Sequence, residues 1–376
     1  MSRRPFRKPF AAARELLALA ATAAWRTSSR LLQEVTRRGP HGAPITTGPD
    51  RTVLLFFEDV EEDRVVKNDR HARRVARRVY HAVTEGRRVT GFEGAFRLLT
   101  RALERAGCRV VVNNARLARR YPHHPIGICG YPHALRGWSL PNPAVLGPGM
   151  FDHPAQAPDL MRDPRFRAYL VPCEWMRDLF APAYSNTAIW FGGIDAGDFP
   201  DYRDTEKEVD FLVYRKILWN REATDVRLTE PLLAELRRRG LTYRVLPYGG
   251  YEAAEYRRLL ASSRGLLYLC EHETQGLAYQ EALACNVPVL AWDQGLWLDP
   301  IQRSFGGTPI PATSVPYFSD QCGDRFADVD SFPAALDRFL LGLASYEPRL
   351  YVSRHVSIEE SARLYLEIYA AAGRAG

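Results

Sequence analysis

A chain of 376 residues, 46% of them hydrophobic and 25% charged, is longer than most single domains and can bury more than one core, so two domains are expected. The formal charge of +7 equals the excess carried by the first forty residues, which hold nine Arg/Lys and two Asp/Glu; the neutral remainder excludes a nucleic-acid partner for the body of the protein. Six dispersed cysteines, with no Cys-x-x-Cys pair and no histidine at metal-ligand spacing, read as small apolar fillers in a reducing, cytoplasmic setting rather than as a disulfide framework or metal site.

The basic arm runs into "AAARELLALAATAAWRTSSRLLQEV". Residues 1–38 therefore read as a helix lying on an anionic membrane surface, with Leu16, Leu17, Leu19, Trp25, Leu31 and Leu32 as apolar contacts. A solvated or domain-packed terminal helix is the alternative. "SRRPFRK" (Ser2 to Lys8) also looks like a twin-arginine export signal, but Arg14 and Glu15 split its apolar region. The uninterrupted run from Leu16 to Trp25 is ten residues, against the roughly twenty that a membrane-spanning helix requires.

"GPHGAPITTGPD" (Gly39 to Asp50) has linker composition, and "TVLLFFE" (Thr52 to Glu58) is a continuous apolar run of strand length. After an Arg-rich stretch, "TGFEGAFRLLTRALERAG" predicts a turn and helix ending at Gly107, and "CRVVVNN" a second strand. This β-loop-α-β unit implies parallel pairing with helices on both sheet faces. Short apolar runs at "PIGICG", "PAVLGPG", "AYLVP" and "AIWF" continue the alternation to Gly193. A second series begins at "VDFLVY" and continues through a helix near Thr229 to Arg239, "TYRVLPYGG", a helix from Glu252 to Ser263, "GLLYL", a helix from Leu277 to Cys285, and "VPVLAW". The expected organisation is an arm and linker (1–45), a first α/β domain (46–195), a second (196–350) and a closing helix (351–376). "GGIDAGDFPDYRDTEKE" is the expected hinge.

The densest chemistry lies in "LCEHETQGLAYQEALACNVPVLAWDQG" (Leu269 to Gly295). Its turn falls after an apolar strand and before a helix, where open α/β sheets bind ligands and free N–H groups favour phosphate. Gly276 lets a ligand approach the backbone closely. Glu281, one turn into the helix, leans back toward the ligand that Glu273 meets from the loop. Carboxylates accept hydrogen bonds from vicinal hydroxyls and repel phosphate, so two of them flanking a phosphate-binding helix end suggest polyols on both sides of a phosphate, as in a nucleotide sugar. Glu271 is left over as a solvent-facing charge.

"Glu273-TQGLAYQ-Glu281-ALACNVPVLA" resembles the signature of family 4 retaining glycosyltransferases of the GT-B fold: Glu, seven residues, Glu, a small-residue helix, then "PV" opening the next strand. The resemblance spans about residues 50 to 370, with specific motifs only in the second half. It implies two Rossmann-like doubly wound domains facing a cleft, with the closing helix "VSIEESARLYLEIYAAAG" crossing back to the first domain. By it, Glu273 holds the donor sugar; Thr274, Gln275, Gly276 and Leu277 line the sugar and diphosphate; and Glu281 binds the ribose. The family's diphosphate clasp, an Arg and a Lys about five positions apart, is matched in "RKILWNR" by Lys216 and Arg221 in exchanged order, with Arg215 as an alternative to Lys216. Such cations neutralise a leaving diphosphate without a metal or other cofactor. Tyr248 and Gly249, in the loop after "YRVLP", would border the base.

In the first domain the match is thinner. Thr90, Gly91 and Phe92 resemble the family's glycine loop and would line the cleft, although an ordinary turn into a helix explains the same residues. His153, or Asp152, would stand near the reacting sugar, with His133 behind; a structural histidine is the competing reading. The reaction implied is transfer of a sugar from a nucleotide-diphosphate donor to a carbohydrate or lipid-linked hydroxyl acceptor, in surface polysaccharide or glycolipid synthesis. The alternatives are a nucleotide-sugar epimerase or phosphorylase of the same fold, and a non-enzymatic membrane-peripheral subunit that binds a sugar nucleotide.

Overall fold

The computed structural model describes residues 51–58 and 91–374; the arm at 1–38 and Thr90 lie outside these described residues. In the first half the strands are β1 (Thr52–Glu58), β2 (Arg109–Val112), β3 (Ile126–Gly130), β4 (Ala144–Leu146), β5 (Phe166–Val171) and β6 (Thr187–Ile189). Among the described residues they form a parallel sheet in the order β2-β1-β3-β4-β5-β6. Its helices are α1 (Gly91–Arg105), α2 (Ala115–Arg120) and α3 (Glu174–Phe180). Strands such as β3, with all five residues buried, read as unbroken apolar runs because both faces of a doubly wound sheet are covered. One covered face packs Leu54, Ile128, Leu146 and Tyr169, the other Val53, Leu55, Leu99 and Leu170.

The second half contributes β7 (Val209–Lys216), β8 (Tyr243–Pro247), β9 (Ser263–Cys270), β10 (Val289–Trp292) and β11 (Gly323–Phe326), parallel in the order β11-β10-β9-β7-β8. Helices α4 (Arg221–Thr224), α5 (Glu230–Arg238), α6 (Ala253–Ala261), α7 (Leu277–Ala284), α8 (Phe332–Gly342) and α9 (Pro348–His355) accompany them, with a π-helical turn at Asp225–Thr229 leading into α5. The order places a topological switch between β7 and β9, where Lys216 and Cys270 are register partners at the strand ends. A ligand crevice is expected at that point.

The closing helix α10 (Ile358–Arg374) lies on the first domain, as its sequence predicts. Tyr365 and Tyr369 are buried in the first domain's core, and the Tyr369 hydroxyl accepts from Leu54 N at 2.9 Å and donates to the Pro125 carbonyl. Trp190 Nε1 donates to Ser361 O at 3.0 Å, and Ser361 Oγ to Phe191 O at 2.7 Å. The chain thus crosses between domains twice, at 192–195 and at 356–358, and the crossings lie side by side through an Ile194–Ser357 bridge. A Cβ on Gly193 would come within 2.5 Å of Ile358 Cα, so a larger residue would push the two crossings apart. The segment expected as a hinge is therefore closely packed at its start.

Candidate functional site

The site grows from the carboxyl ends of β7 and β9. Because side chains alternate across a strand, Arg215 and Lys216 point to opposite faces. Arg215 leaves the crevice to pair with Asp225 at 2.8 Å, and Lys216 enters it. Lys216 Nζ lies 2.5 Å from Glu273 Oε1, and the Tyr268 hydroxyl donates to the same oxygen at 2.7 Å. The ammonium also sits 4.9 Å from the centroid of the Tyr248 ring. Burial alone pulls the Lys216 pKa down, but the adjoining Glu273 carboxylate more than reverses this and holds the ammonium above its ordinary value. Arg221 opens α4 on the exposed rim, its Nε donating to Ile217 O at 3.1 Å.

Glu271 is not the solvent-facing charge that its leftover position suggests. It is 3% exposed, and its carboxylate accepts from Leu218 N at 2.9 Å and from Trp219 N at 3.0 Å. Burial raises its pKa while those two amides oppose the rise. The physical reason is the loop after β7: once β7 ends, the partly buried Leu218 and Trp219 amides have no strand partner and take the Glu271 carboxylate as acceptor. Glu271 therefore moors the loop that joins Lys216 to Arg221.

The Glu273 loop is pinned from several sides. Its own N–H donates to Thr313 O at 2.9 Å, and its carbonyl accepts from Trp175 Nε1, at the start of α3 in the first domain, at 2.8 Å. Gln275 spans the joint, its Oε1 accepting from Gly192 N at 2.9 Å and its Nε2 donating to Gly192 O at 2.7 Å. Gln275 thus locks the Glu273 loop to the first crossing between domains, a role that its position in the motif does not announce. Thr274 and Leu277 are exposed beside it.

Gly276 is the N-cap of α7 with φ +77°, and a Cβ there would meet the Tyr279 ring at 2.0 Å. The glycine is required twice, for its left-handed backbone and for the absent side chain. The first N–H groups of α7 have no partner within the helix and, with its dipole, form an anion site. Glu281, one turn further on, is half-buried, and among the described residues its carboxylate makes no hydrogen bond or ion pair. Burial raises its pKa, with Arg257 opposing. Lys216, Glu273, the α7 terminus and Glu281 therefore offer a cation, a paired carboxylate, free amides and an unpaired carboxylate around one switch point.

Beyond this ring, Tyr248 is half-exposed and Gly249 follows with φ +83°. The Tyr214 and Tyr251 hydroxyls meet at 2.6 Å behind them. Across the cleft, Phe92 packs on Tyr131 at 4.3 Å between centroids, and Tyr131 stacks on His133 at 5.8 Å. The structure thus brings Phe92 and His133 into one aromatic row at the end of β3, with Gly91 opening α1 nearby, where an added Cβ would meet nothing within 4 Å. His153 is engaged differently. Its Nδ1 accepts from Ala155 N at 3.1 Å as the cap of a short 3-10 turn, and its ring lies flat on Phe305 at 4.2 Å. Asp152 accompanies it, its pKa raised by burial, with a Gln156 hydrogen bond opposing and Asp299 adding to the rise.

Sequence reasoning missed three contributors. His272, between Glu271 and Glu273, stacks on Trp219 at 5.2 Å and meets Trp175 and Trp297 edge-on at 6.2 and 6.4 Å. Burial lowers its pKa to about 4, so the ring is neutral near pH 7. Tyr268 orients Glu273, and Trp175 holds the same loop from the first domain. A tyrosine inside the otherwise aliphatic "GLLYL" was the one signal in the sequence; the tryptophans are distant in the chain and left none.

No protein-family model matches the chain, and no curated protein sequence does. Solved structures do resemble it. The lipopolysaccharide outer core galactosyltransferase WaaB, in apo form, aligns with a TM-score of 0.52 at 9% identity, covering 85% of this chain and 99% of that one. AviGT4, a glycosyltransferase involved in avilamycin A biosynthesis, aligns at 0.46 and 14% identity over 86% and 98%. Sucrose-phosphate synthase from Thermosynechococcus elongatus aligns at 0.46 and 13% over 85% and 99%. With two parallel α/β domains and the returning helix, the chain has the GT-B fold.

Proposed function

We propose that the protein is a retaining glycosyltransferase of the family 4 type, moving a sugar from a nucleoside-diphosphate sugar to a hydroxyl of a carbohydrate or lipid-linked acceptor. The observation that carries this reading is the grouping of Lys216, Glu273, the α7 amino terminus and the unpartnered Glu281 around the β7–β9 switch point. Glu281 would accept the ribose hydroxyls and Glu273 those of the donor sugar. Lys216, Arg221 and the α7 amides would hold the diphosphate. Tyr248 and Gly249 would border the base, and Phe92 and His133 would line the acceptor side.

In the reaction the bond between the anomeric carbon and the diphosphate oxygen breaks as the acceptor oxygen bonds to that carbon from the same face. The acceptor's proton passes to the departing phosphate oxygen, whose growing charge Lys216 and Arg221 neutralise. No cofactor enters this scheme. The pairing of Lys216 with Glu273 keeps the ammonium charged and aimed before the donor arrives, so little reorganisation is needed at the transition state.

The reading is tested by incubating the protein with radiolabelled uridine-, guanosine-, adenosine- and thymidine-diphosphate sugars without acceptor. A transferase releases free sugar slowly from one of them with the anomeric configuration retained. An isomerised nucleotide sugar would establish an epimerase instead. Among the described residues no helix is long and apolar enough to cross a membrane. We assign membrane-surface attachment on the cytoplasmic side to the basic arm, and deletion of residues 1–38 would leave the protein unbound to anionic vesicles.

A further inference from the structure

A second concavity lies beside the donor ring, separate from it. A cavity of about 540 Å³ opens at the carboxyl ends of β9, β10 and β11, walled by Trp219, Trp292, Trp297 and Leu298. Its volume falls within the roughly 300–1,000 Å³ of small-molecule sites. Lys216, Glu273, Gly276, Glu281 and Tyr248 do not line it. The partition is the β7–α4 loop, whose Leu218 and Trp219 amides are fixed by Glu271, itself in the cavity wall.

The outer wall is the loop after β10, which leaves the second domain and docks on the first. Trp297 and Ala312 are buried in the first domain's core cluster, and Phe305 stacks on His153. An occupant would therefore sit between the second domain's sheet and this loop, next to the segment that carries His272 and Glu273.

The chemistry of the walls selects the occupant. The partly exposed Trp219 indole and half-exposed Leu298 give the lining apolar area that suits the C–H faces of a pyranose ring, with the buried Trp292 and Trp297 behind them. The side chains of Asn220 and Arg303 also line the cavity and, among the described residues, make no hydrogen bond, so they are available to hydroxyls. A diphosphate is disfavoured, because the three carboxylates of Asp299, Asp328 and Glu271 outnumber the two guanidiniums of Arg227 and Arg303 in the lining. Asp299 and Asp328 accept from Ile301 N at 2.9 Å and Ser331 N at 2.8 Å, so they are fixed in place. A neutral polyol with apolar ring faces meets both demands.

We propose that this cavity is an acceptor subsite, binding a neutral saccharide portion of the acceptor beside the donor ring. The proposal rests on the transferase reading for the word acceptor, and on the cavity alone for the saccharide.

The test is saturation-transfer NMR of the full chain with neutral monosaccharides and with maltose, cellobiose and lactose. Thermal shift with nucleoside diphosphates and nucleotide sugars is run in parallel. Leu298→Trp, which fills the cavity, and Arg303→Ala, on its exposed rim, are compared with wild type. The expected result is binding of at least one saccharide, weakened about tenfold or more by each substitution, with nucleoside-diphosphate stabilisation retained. Absence of saccharide binding to the wild type, or binding indifferent to both substitutions, overturns the proposal. So does a loss confined to nucleotide sugars, which would make the cavity the donor's own sugar pocket. Saccharide binding without stabilisation by any nucleoside diphosphate would remove the transferase reading, and with it the acceptor assignment, leaving a saccharide site.

Discussion

Lys216, at the end of β7, and Glu273, in the loop after β9, meet at 2.5 Å, and Tyr268 donates to the same carboxylate oxygen. Their side chains are 17% and 12% exposed, so removing one partner strands a largely dehydrated charge. Lys216→Met should cost about 3 kcal/mol in urea unfolding and lower turnover about 10²–10³-fold. The double variant Lys216→Met/Glu273→Gln should recover part of the stability and none of the activity. Recovery of both would make the pair purely structural. Since the folded pKa of Lys216 is raised, its contribution is complete below the free lysine value of about 10.4 and fades as pH climbs through the higher folded value.

Glu271 should behave as a structural residue with a catalytic consequence. Glu271→Ala leaves two partly buried amides without their acceptor and should destabilise by about 1–2 kcal/mol, whereas Glu271→Gln, which still accepts, should cost less. Hydrogen exchange at Leu218 and Trp219 reads the mooring directly. Continued protection of both amides in the alanine variant would contradict it.

His272 gives the fold an acid sensitivity. Its folded pKa of about 4 lies below the free value near 6.5, so between these values the unfolded chain binds the extra proton. Stability should therefore fall as pH drops through that window, by up to about 3 kcal/mol from this group. His272→Phe keeps a ring against Trp219 and should flatten the stability difference between pH 7 and pH 4.5 relative to wild type. Parallel pH profiles for the two proteins would rule the assignment out.

Gly276→Ala introduces a Cβ into the Tyr279 ring on a left-handed backbone. A loss of about 1–3 kcal/mol is expected, together with weaker nucleoside-diphosphate binding, because α7 must shift. Calorimetric melting with and without ligand separates the two effects.

Much of this was legible in the residues. The buried strands announce themselves as continuous apolar runs, and the paired glutamates around Gly276 locate the switch point because strand, glycine and small-residue helix occur together. The edge strand β11 was not legible: Gly323-Asp324-Arg325-Phe326 is half polar and carries no apolar run. Nor was the burial of Glu271, whose partners are backbone amides that no side-chain pattern reveals. Gln275 and Trp175 act through contacts more than eighty residues distant in sequence, which only the folded chain brings together. The loop after β10, which covers His153 and encloses the second cavity, has a composition that reads as a turn-rich connection.

The central claim is that a nucleoside diphosphate binds at the amino end of α7 with Glu281 on its ribose. Isothermal titration of the stabilising nucleoside diphosphate into wild type and Glu281→Ala tests it most directly. At least tenfold weaker binding is expected, about 1.4 kcal/mol, with an unchanged unfolding midpoint, because the half-buried carboxylate makes no bond within the described protein. Since burial raises the Glu281 pKa, wild-type affinity should also decline toward acidic pH and that of the variant should not. An unchanged dissociation constant in Glu281→Ala would contradict the account.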